Sequence, residues 1–254
     1  MQNLLNYKVN GGMITDLISV VPLKYNLYSD IGKRIFLEGE FEEAEIRFVE
    51  SKLDGLNHKV TIIDVGANIG VHSIRLASGR NNVDVYAFEP SSGTADILRD
   101  NIELNKLASR VHVIRNAVSD CPGQATFYEC EDNAFCSLKD THRKKIISSS
   151  VVPVTTIDKF IQDNDISNLV LIKIDVEGFE TEVIRGAMFT LADLSPDLFV
   201  EIYGGECSNP DPEGTIKLIT SLGYFAYVFS GGEISRYTKH DDDKYNYFFT
   251  RRPV

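Results

Sequence analysis

The sequence has 254 residues, of which 43% are hydrophobic, so it can bury the core of one large domain or of one domain with an extension. Acidic residues outnumber basic ones by 37 to 26, and the formal charge of −11 disfavours binding to a nucleic-acid backbone. The opening stretch lacks the basic start and apolar run of a signal peptide, and no segment approaches the roughly 20 apolar residues of a membrane span. We therefore expect a soluble, cytoplasmic protein that binds neither nucleic acid nor membrane. Its oligomeric state is left open.

The four cysteines lack the spacing of a zinc site. They are Cys121, Cys130, Cys136 and Cys207, with no C-x-x-C pair and no histidine at zinc-finger spacing. In a chain of this length without a secretion signal, such residues are typically reduced thiols. The pattern favours a cytoplasmic location, and we assign no metal ligands.

Residues 60–70 read VTIIDVGANIG and predict a strand that leads into a glycine turn. Consecutive apolar, β-branched residues are typical of a strand buried on both faces of a parallel sheet. Asp64 closes this run, Gly66 and Gly70 bracket the turn, and the following VHSIRLAS predicts a helix. A strand, glycine turn and helix in this order bind small molecules at the turn.

Strand and helix patterns then alternate, which predicts an α/β fold with a doubly wound, mostly parallel sheet and helices on both faces. Aromatic-rich segments at 224–230 and 244–252 predict a closing hairpin. The other predicted strands lie at 83–90, 110–120, 124–130, 169–180 and 197–205, the predicted helices at 91–107, 180–194 and 212–223, and a short strand with a helix at 151–161.

Two segments stand apart from this alternation. We predict a main domain at 59–254, with a polar insertion at about 121–150, preceded by a helical cap or extension at 1–58. Within the extension, Phe41, Ile46 and Val49 recur at approximately helical spacing. This spacing most often means a helix packed against the sheet or over its rim, and such a cap could also help to close a ligand site.

Five polar residues end or follow predicted strands: Asp64, Glu89, Asn116, Asp175 and Glu201. Ligands in open α/β sheets bind beyond the carboxyl ends of the strands. We therefore expect these side chains to lie along one rim, and this convergence is the strongest indication of a functional site.

The spacing of the glycine turn disfavours a dinucleotide. Asn68 occupies the place of the second glycine of G-x-G-x-x-G, where a side chain crowds a pyrophosphate. S-adenosylmethionine has no phosphate but needs an acceptor for two ribose hydroxyls, and the carboxylate of Glu89 can accept both hydrogen bonds. The residues thus favour S-adenosylmethionine over NAD or FAD.

Five motifs, taken in order and spacing, resemble the signature of the FkbM-type S-adenosylmethionine-dependent methyltransferases: DVGANIGVHS, AFEP, NAVSD, VPVTTID and IKIDVEGFETEVIRGA. The resemblance covers approximately residues 40–205. It implies a class I, Rossmann-like methyltransferase fold with a seven-stranded sheet whose last strand is antiparallel, acting on hydroxyl groups of sugars or natural products. The N-terminal 40 residues and the 121–150 segment match nothing in this pattern, so the acceptor is not specified.

The resemblance also implies roles for residues near the cofactor. Gly66 and Gly70 would form the turn beneath it, and Asp64 would reach its methionine amino group directly or through water. Glu89 would hold the ribose, while residues 116–117 would border the adenine. The predicted cofactor-binding residues are Asp64, Gly66, Asn68, Gly70, Glu89, Asn116 and Ala117.

Each of these polar residues has a plainer interpretation. Asp64 and Asn68 could satisfy turn amides, Glu89 could cap the following helix, and Asn116 could be an ordinary turn residue. Their joint occurrence after strands in this order favours cofactor binding.

Transfer to an alcohol requires a positioned oxygen and a base or metal, because alcohols are weak nucleophiles. In IKIDVEG, Lys173 and Asp175 lie two apart on a strand and share a face. We predict three catalytic residues: Asp175 as base or orienting carboxylate, Lys173 as the group that tunes it, and Glu177 as a contact to substrate or backbone. Alternatively, Asp175, Glu177 and Glu201 could hold Mg²⁺, or Lys173 and Asp175 could form a structural ion pair while Glu177 caps the next helix.

The HRKK run at 142–145 is the compact basic cluster of the sequence. A solvated loop is its simplest interpretation, although it could recognise an anionic acceptor such as a sugar nucleotide.

The sequence as a whole predicts an S-adenosylmethionine-dependent O-methyltransferase that acts on a hydroxyl of a small-molecule or glycan acceptor, a carbohydrate or secondary metabolite. The alternatives are a non-catalytic partner protein that retains the fold and a nicotinamide-dependent oxidoreductase.

Overall fold

The structure, a computed structural model, describes residues 7–10, 12–16, 21–39, 41–205, 208–241 and 243–254. No helix in these ranges is long and apolar enough to cross a membrane. The strands are β1 (Tyr7–Asn10), β2 (Met13–Asp16), β3 (Leu23–Asn26), β4 (Val60–Val65), β5 (Val83–Phe88), β6 (Val111–Ile114), β7 (Ala117–Val118), β8 (Gly123–Cys130), β9 (Ile146–Thr155), β10 (Leu169–Ile174), β11 (Asp197–Glu201), β12 (Phe225–Ser230), β13 (Glu233–Arg236) and β14 (Asn246–Thr250). The helices are α1 (Asp30–Glu38), α2 (Glu43–Leu53), α3 (Val71–Ala77), α4 (Ser92–Leu104), α5 (Ile157–Asp163), α6 (Glu180–Arg185), α7 (Met188–Asp193) and α8 (Pro212–Ser221).

The central sheet is mixed and has eight strands in the order β13-β12-β14-β11-β10-β4-β5-β6. Strands β6, β5, β4, β10 and β11 pair in parallel, and β14 runs antiparallel to both β11 and β12. The expected count of seven strands is wrong by one. The extra strand, β13, pairs with β12 because Gly231 and Gly232, at φ +60° and +81°, form a tight hairpin turn between them.

Helices cover both faces of this sheet, as the alternation of strand and helix patterns predicts. Ile62 of β4 belongs to the core cluster that contains the apolar faces of α2, α3 and α4. The next residue, Ile63, belongs to the opposite cluster, with α5, α6, α7 and α8. Successive side chains of a strand point to opposite faces, so a strand buried on both faces needs apolar residues at consecutive positions.

The N-terminal region differs from the predicted helical extension. Helices α1 and α2 are present, but a three-stranded antiparallel sheet, β1-β2-β3, precedes them. β3 is fixed to α4 by Asn101, whose Oδ1 accepts from the backbone N of Lys24 at 2.6 Å while its Nδ2 donates to Lys24 O at 3.0 Å. Residues 1–6, 11, 17–20 and 40 of this region lie outside the described residues, and the domain boundary at residue 58 stays a prediction.

Two predicted elements are divided in the structure. The strand expected at 110–120 breaks at Asn116, where β6 remains in the central sheet and β7 pairs with β9. The helix expected at 180–194 is α6 and α7, separated at Gly186. The carboxylate of Asp158 accepts from the backbone N of Phe189 at 3.1 Å and of Thr190 at 2.7 Å, so it caps a new helix at that point.

The insertion is built mainly as a hairpin. β8 and β9 pair over most of their lengths, and the loop at 131–145 that joins them folds back to the carboxyl edge of the central sheet.

The described cysteines are free thiols: Cys121 is exposed, Cys130 is buried and Cys136 is half-buried. Cys207 lies outside the described residues.

Candidate active site

A cavity opens at the carboxyl edge of the central sheet, with an empty volume of about 1170 Å³ counted out to open solvent. Four of the five predicted rim residues line it, namely Glu89, Asn116, Asp175 and Glu201. The fifth, Asp64, does not. The walls come from strand ends, from the 131–145 loop and from the N-terminal region, so three distant parts of the sequence meet here.

Two glycines bracket the turn after β4, and at each of them a side chain would not fit. Gly66 has φ +77°, and a Cβ on it would lie 1.8 Å from the backbone O of Asp175. Gly70 begins α3 at φ +90°, and its Cβ would lie 2.3 Å from Leu98 Cδ1. Gly66 lines the cavity, whereas Gly70 packs beneath it.

Asn68 joins the turn to the insertion. Its φ is +50°, a conformation that asparagine tolerates better than most residues. Its Oδ1 accepts from Asn133 Nδ2 at 2.7 Å and from Ile69 N at 2.9 Å, and its Nδ2 donates to Asn133 O at 3.2 Å. The turn and the 131–145 loop are thereby held in one arrangement.

Glu89 follows β5 and is only 6% exposed. Its Oε2 accepts from the backbone N of Asn68 at 3.0 Å, and its Oε1 accepts from the backbone N of Ser91 at 2.9 Å. Burial raises the pKa of Glu89 to about 7, against the opposing effect of these two N–H donors. A carboxylate has about four lone-pair sites, so Glu89 can order the turn and still accept hydrogen bonds from a ligand.

Lys173 occupies the centre of the buried charges. Its Nζ donates to Asp175 Oδ2 at 3.1 Å and to Gly66 O at 3.2 Å, and lies 3.6 Å from Asp64 Oδ1. Burial alone would lower the pKa of Lys173, but the charges of Asp175 and Asp64 raise it. Asp64 is fully buried and accepts from Ser73 Oγ at 2.6 Å, so it supports the turn from below.

Glu177 and Arg143 form an ion pair at the cavity wall, in which Arg143 Nη1 donates to Glu177 Oε2. Burial and the charge of Asp175 raise the pKa of Glu177 to about 8, while Arg143 opposes this rise. The Arg143 guanidinium lies 4.5 Å from the Phe135 ring centroid and 4.7 Å from that of Tyr203. The interpretation of the HRKK run as a solvated loop is therefore wrong for Arg143.

The N-terminal region closes one side of the cavity. Glu42, the N-cap residue of α2 at φ +50°, lines it together with Arg34 and Phe41. Glu42 Oε2 lies 3.2 Å from His72 Nε2, and although burial alone would raise the pKa of Glu42, contact with His72 lowers it. The cap thus contributes side chains to the candidate site.

The three carboxylates considered for Mg²⁺ do converge. Asp175, Glu177 and Glu201 each offer an oxygen within 4.8 Å of the others. Burial and the charges of Asp175 and Glu42 raise the pKa of Glu201 well above its ordinary value. Asp175 and Glu177 already have cationic partners in Lys173 and Arg143, which lowers the need for a metal ion.

Several cavity residues have no signal in the sequence. Arg143 belongs to a recognisable basic run, but the others, in the middle of α1, in loops or at element ends, belong to no motif, and only the fold brings them together. They are Arg34, Glu42, Asn133, Tyr203 and Tyr245.

This fold and cavity define a methyltransferase-like α/β protein. A SAM-dependent methyltransferase from Agrobacterium tumefaciens has a solved structure that aligns with a TM-score of 0.53 at 10% identity, over 96% of this chain and 72% of that one. The structure of Methyltransferase FkbM from Methylobacillus flagellatus KT aligns with a TM-score of 0.51 at 18% identity, over 77% of this chain and 45% of that one. This chain therefore spans less than half of the second protein. At such identities, these likenesses concern the fold alone.

Residues 64–226 match the Methyltransferase FkbM domain, and the chain belongs to this family. Hexuronic acid methyltransferase AglP of Haloferax volcanii is 27% identical over 184 residues, which cover 72% of this chain and 69% of AglP. Methyltransferase 1 of Beauveria bassiana is 27% identical over 212 residues, covering 76% of this chain and 83% of that protein. The family predicted from the five motifs is confirmed. These relatives support a methyltransferase, and they support neither an oxidoreductase nor Mg²⁺.

Proposed function

We propose that this chain is an S-adenosylmethionine-dependent O-methyltransferase that acts on a hydroxyl of a carbohydrate or secondary metabolite. The observation that carries this proposal is the convergence of Gly66, Glu89 and Asp175 on one cavity at the carboxyl edge of the sheet. The carbohydrate acceptor is supported by the relative that is a hexuronic acid methyltransferase.

The cavity fits the proposed cofactor in its donors, acceptors and space. Glu89 retains lone pairs for two ribose hydroxyls, and the cavity wall at 116–118 with Phe127 offers surface for an adenine. Gly66 lines the cavity and has no side chain, and the Asp175 backbone leaves no room for one. The backbone at 66–68 and these residues are the groups that would hold the cofactor.

When bound, S-adenosylmethionine supplies a methyl group activated by its sulfonium. Asp175 can contact an acceptor hydroxyl, because it lines the cavity and its side chain is 29% exposed. There it would orient the oxygen and take up the proton that the hydroxyl loses. Lys173 holds Asp175 in position through the 3.1 Å hydrogen bond from its Nζ to Asp175 Oδ2.

The acceptor would enter from the side of Glu177, Tyr203 and Tyr245. The two tyrosine rings lie 5.8 Å apart by their centroids and both line the cavity. Amphipathic aromatic rings suit the apolar faces and polar edges of sugars. Glu177 would contact the acceptor while Arg143 fixes its position.

Calorimetric titration of the purified protein with S-adenosylmethionine and with NAD⁺ tests the cofactor. We expect micromolar binding of the methyl donor, no binding of NAD⁺, and roughly tenfold or greater weakening of donor binding in Glu89→Ala. Glu103→Ala is the matched control, since it makes the same substitution at an exposed carboxylate on α4 outside the cavity. Failure of the donor to bind folded wild-type protein would refute the proposed function and favour a non-catalytic protein that retains the fold.

A further inference from the structure

Two arginines that line the cavity lie against aromatic rings, and we call this set of residues the arginine–aromatic wall. The Arg34 guanidinium lies 4.7 Å from the Phe41 ring centroid, and Arg143 lies between Phe135 and Tyr203. Tyr245 stands next to Tyr203 on the same wall. All of these residues line the cavity: Arg34, Phe41, Phe135, Arg143, Tyr203 and Tyr245.

Four of the six acids that line the cavity are paired or neutral independently of this wall. Asp175 pairs with Lys173, and Glu42 contacts His72. Glu177 is different, because its partner is Arg143 itself and it occupies part of that guanidinium. Glu89 accepts from two backbone N–H groups, and burial together with neighbouring acids favours the neutral form of Glu201. The cavity-lining acids are Asp30, Glu42, Glu89, Asp175, Glu177 and Glu201.

Both guanidinium groups keep capacity for a ligand. Among the described residues, Arg34 has one long ion pair, with Glu38 at 4.0 Å, besides its contact with Phe41, and its side chain is 37% exposed. Arg143 is held on both sides by rings and by Glu177, so its position is fixed before any ligand binds. A guanidinium carries five N–H donors, and the contact with Glu177 leaves several of those of Arg143 for another anion.

We propose that the methyl acceptor is an acidic carbohydrate, whose anionic group binds to Arg143 and Arg34 while the neighbouring aromatic rings cover the sugar. This inference rests on the proposed function and names the acceptor class of the same site. A guanidinium recognises a carboxylate or a phosphate through two parallel hydrogen bonds, which a neutral sugar cannot form. A sugar carboxylate and a sugar phosphate both offer such an anionic group. The experiment below decides which of the two the site prefers.

The test measures acceptor binding to the full chain saturated with S-adenosylhomocysteine, which lacks the transferable methyl group. Glucuronate, glucose 1-phosphate and methyl glucoside are titrated by calorimetry. They share a hexose ring and carry a carboxylate, a phosphate and no charge respectively. We expect at least one anionic sugar to bind roughly tenfold or more tightly than methyl glucoside, with the preferred anion identifying the source.

Variants in α1 and in the 131–145 loop separate a role in anion binding from a general effect of charge. Arg143→Gln is expected to abolish the preference for the anionic sugar, Arg34→Gln to weaken it, and Arg143→Lys to retain part of it. Lys144→Gln is the matched control, because Lys144 lies 5.0 Å from the same Phe135 ring but is exposed and does not line the cavity. It should leave the preference unchanged. Affinity for S-adenosylhomocysteine, measured in each variant, reports whether the fold and cofactor site are intact.

The outcomes distinguish this inference from the proposed function. Failure of the wild-type protein to bind S-adenosylhomocysteine would refute the proposed function. Intact cofactor binding with no preference for an anionic sugar would overturn the acceptor inference alone. Equal weakening of neutral and anionic sugars in both Arg143→Gln and Arg34→Gln would likewise overturn it, since the arginines would then shape the wall without binding an anion.

Discussion

Replacement of Gly66 by alanine is expected to disrupt the turn beneath the proposed cofactor. Alanine would be held at φ +77°, and its Cβ would lie 1.8 Å from the Asp175 backbone O. The left-handed conformation costs about 1–2 kcal/mol, of which about 0.4–1 is offset by the lower entropy of the unfolded chain. Displacement of a packed backbone adds about 1–3 kcal/mol. The expected loss is therefore about 1–5 kcal/mol in the free energy of unfolding.

Two other glycines separate these contributions. Gly79 has φ +72°, and a Cβ added to it would meet no atom within 4 Å, so Gly79→Ala carries the conformational cost alone, about 1 kcal/mol. Gly93, in α4, has neither constraint, and Gly93→Ala is expected to stabilise the protein by up to about 1 kcal/mol. Urea unfolding of the three variants gives these differences directly.

The same variants test the link to function. Since the Asp175 carbonyl must move in Gly66→Ala, methyl transfer is expected to fall by roughly a hundredfold, whereas Gly79→Ala and Gly93→Ala should retain wild-type rates. If Gly66→Ala were no less stable than Gly79→Ala, and bound S-adenosylmethionine normally, the reasoning from this close backbone contact would be refuted.

Further predictions concern the charges, the loop and the metal. Burial raises the pKa of Glu180 from 4.5 to about 7, so the folded protein keeps a proton that the unfolded chain has lost. The contribution of Glu180 to stability should fall by about 3 kcal/mol as the pH rises through this window, in the same direction as those of Glu89 and Glu177, and Glu180→Gln should reduce the dependence of Tm on pH. Lys173→Met leaves Asp64 and Asp175 without their cation and should cost about 3–5 kcal/mol in urea unfolding; equal stability would contradict a stabilising role. Asn133→Ala removes the side-chain hydrogen bond to the glycine turn and should weaken S-adenosylmethionine binding by roughly threefold or more in calorimetry, with little change in Tm. EDTA should leave methyl transfer unchanged, and restoration of lost activity by Mg²⁺ would instead implicate the carboxylate cluster.

The central sheet and its rim could be predicted because their signals are local. Consecutive apolar residues in VTII and LVLIKI mark strands buried on both faces, and the polar residue at each strand end falls on one edge once the strands are parallel. The N-cap of α4 is equally local, since a serine pair precedes that helix in the sequence and Ser91 Oγ accepts from Thr94 N only three positions away. Asp64 could not be placed by the same rule, since the ion pair with Lys173 and the hydrogen bond to Ser73 that draw it beneath the turn depend on packing.

The structure departs from the sequence-based predictions mainly where segments that are distant in the sequence meet. The division of the 180–194 helix depends on Asp158, more than twenty positions earlier in the chain, and no helix pattern reports that contact. Arg143 stands in a basic run that would be solvated in isolation, yet the rings of Phe135 and Tyr203 hold it in the cavity. Glu42 and Tyr245 reach the cavity only because α2 and the segment before β14 pack near the end of β11.

The two halves of the cavity differ in how they relate to the family. Gly66, Glu89 and Asp175 lie within the matched range 64–226, so membership of the family bears directly on the proposed donor site. Of the residues that carry the acceptor inference, Arg34, Phe41 and Tyr245 lie outside that range, whereas Phe135, Arg143 and Tyr203 lie within it. If the acceptor is selected where these side chains stand, relatives can share the donor site while differing in acceptor. Family membership then argues for methyl transfer. The acceptor has to be inferred from the arginines and aromatic rings that line the cavity of this chain.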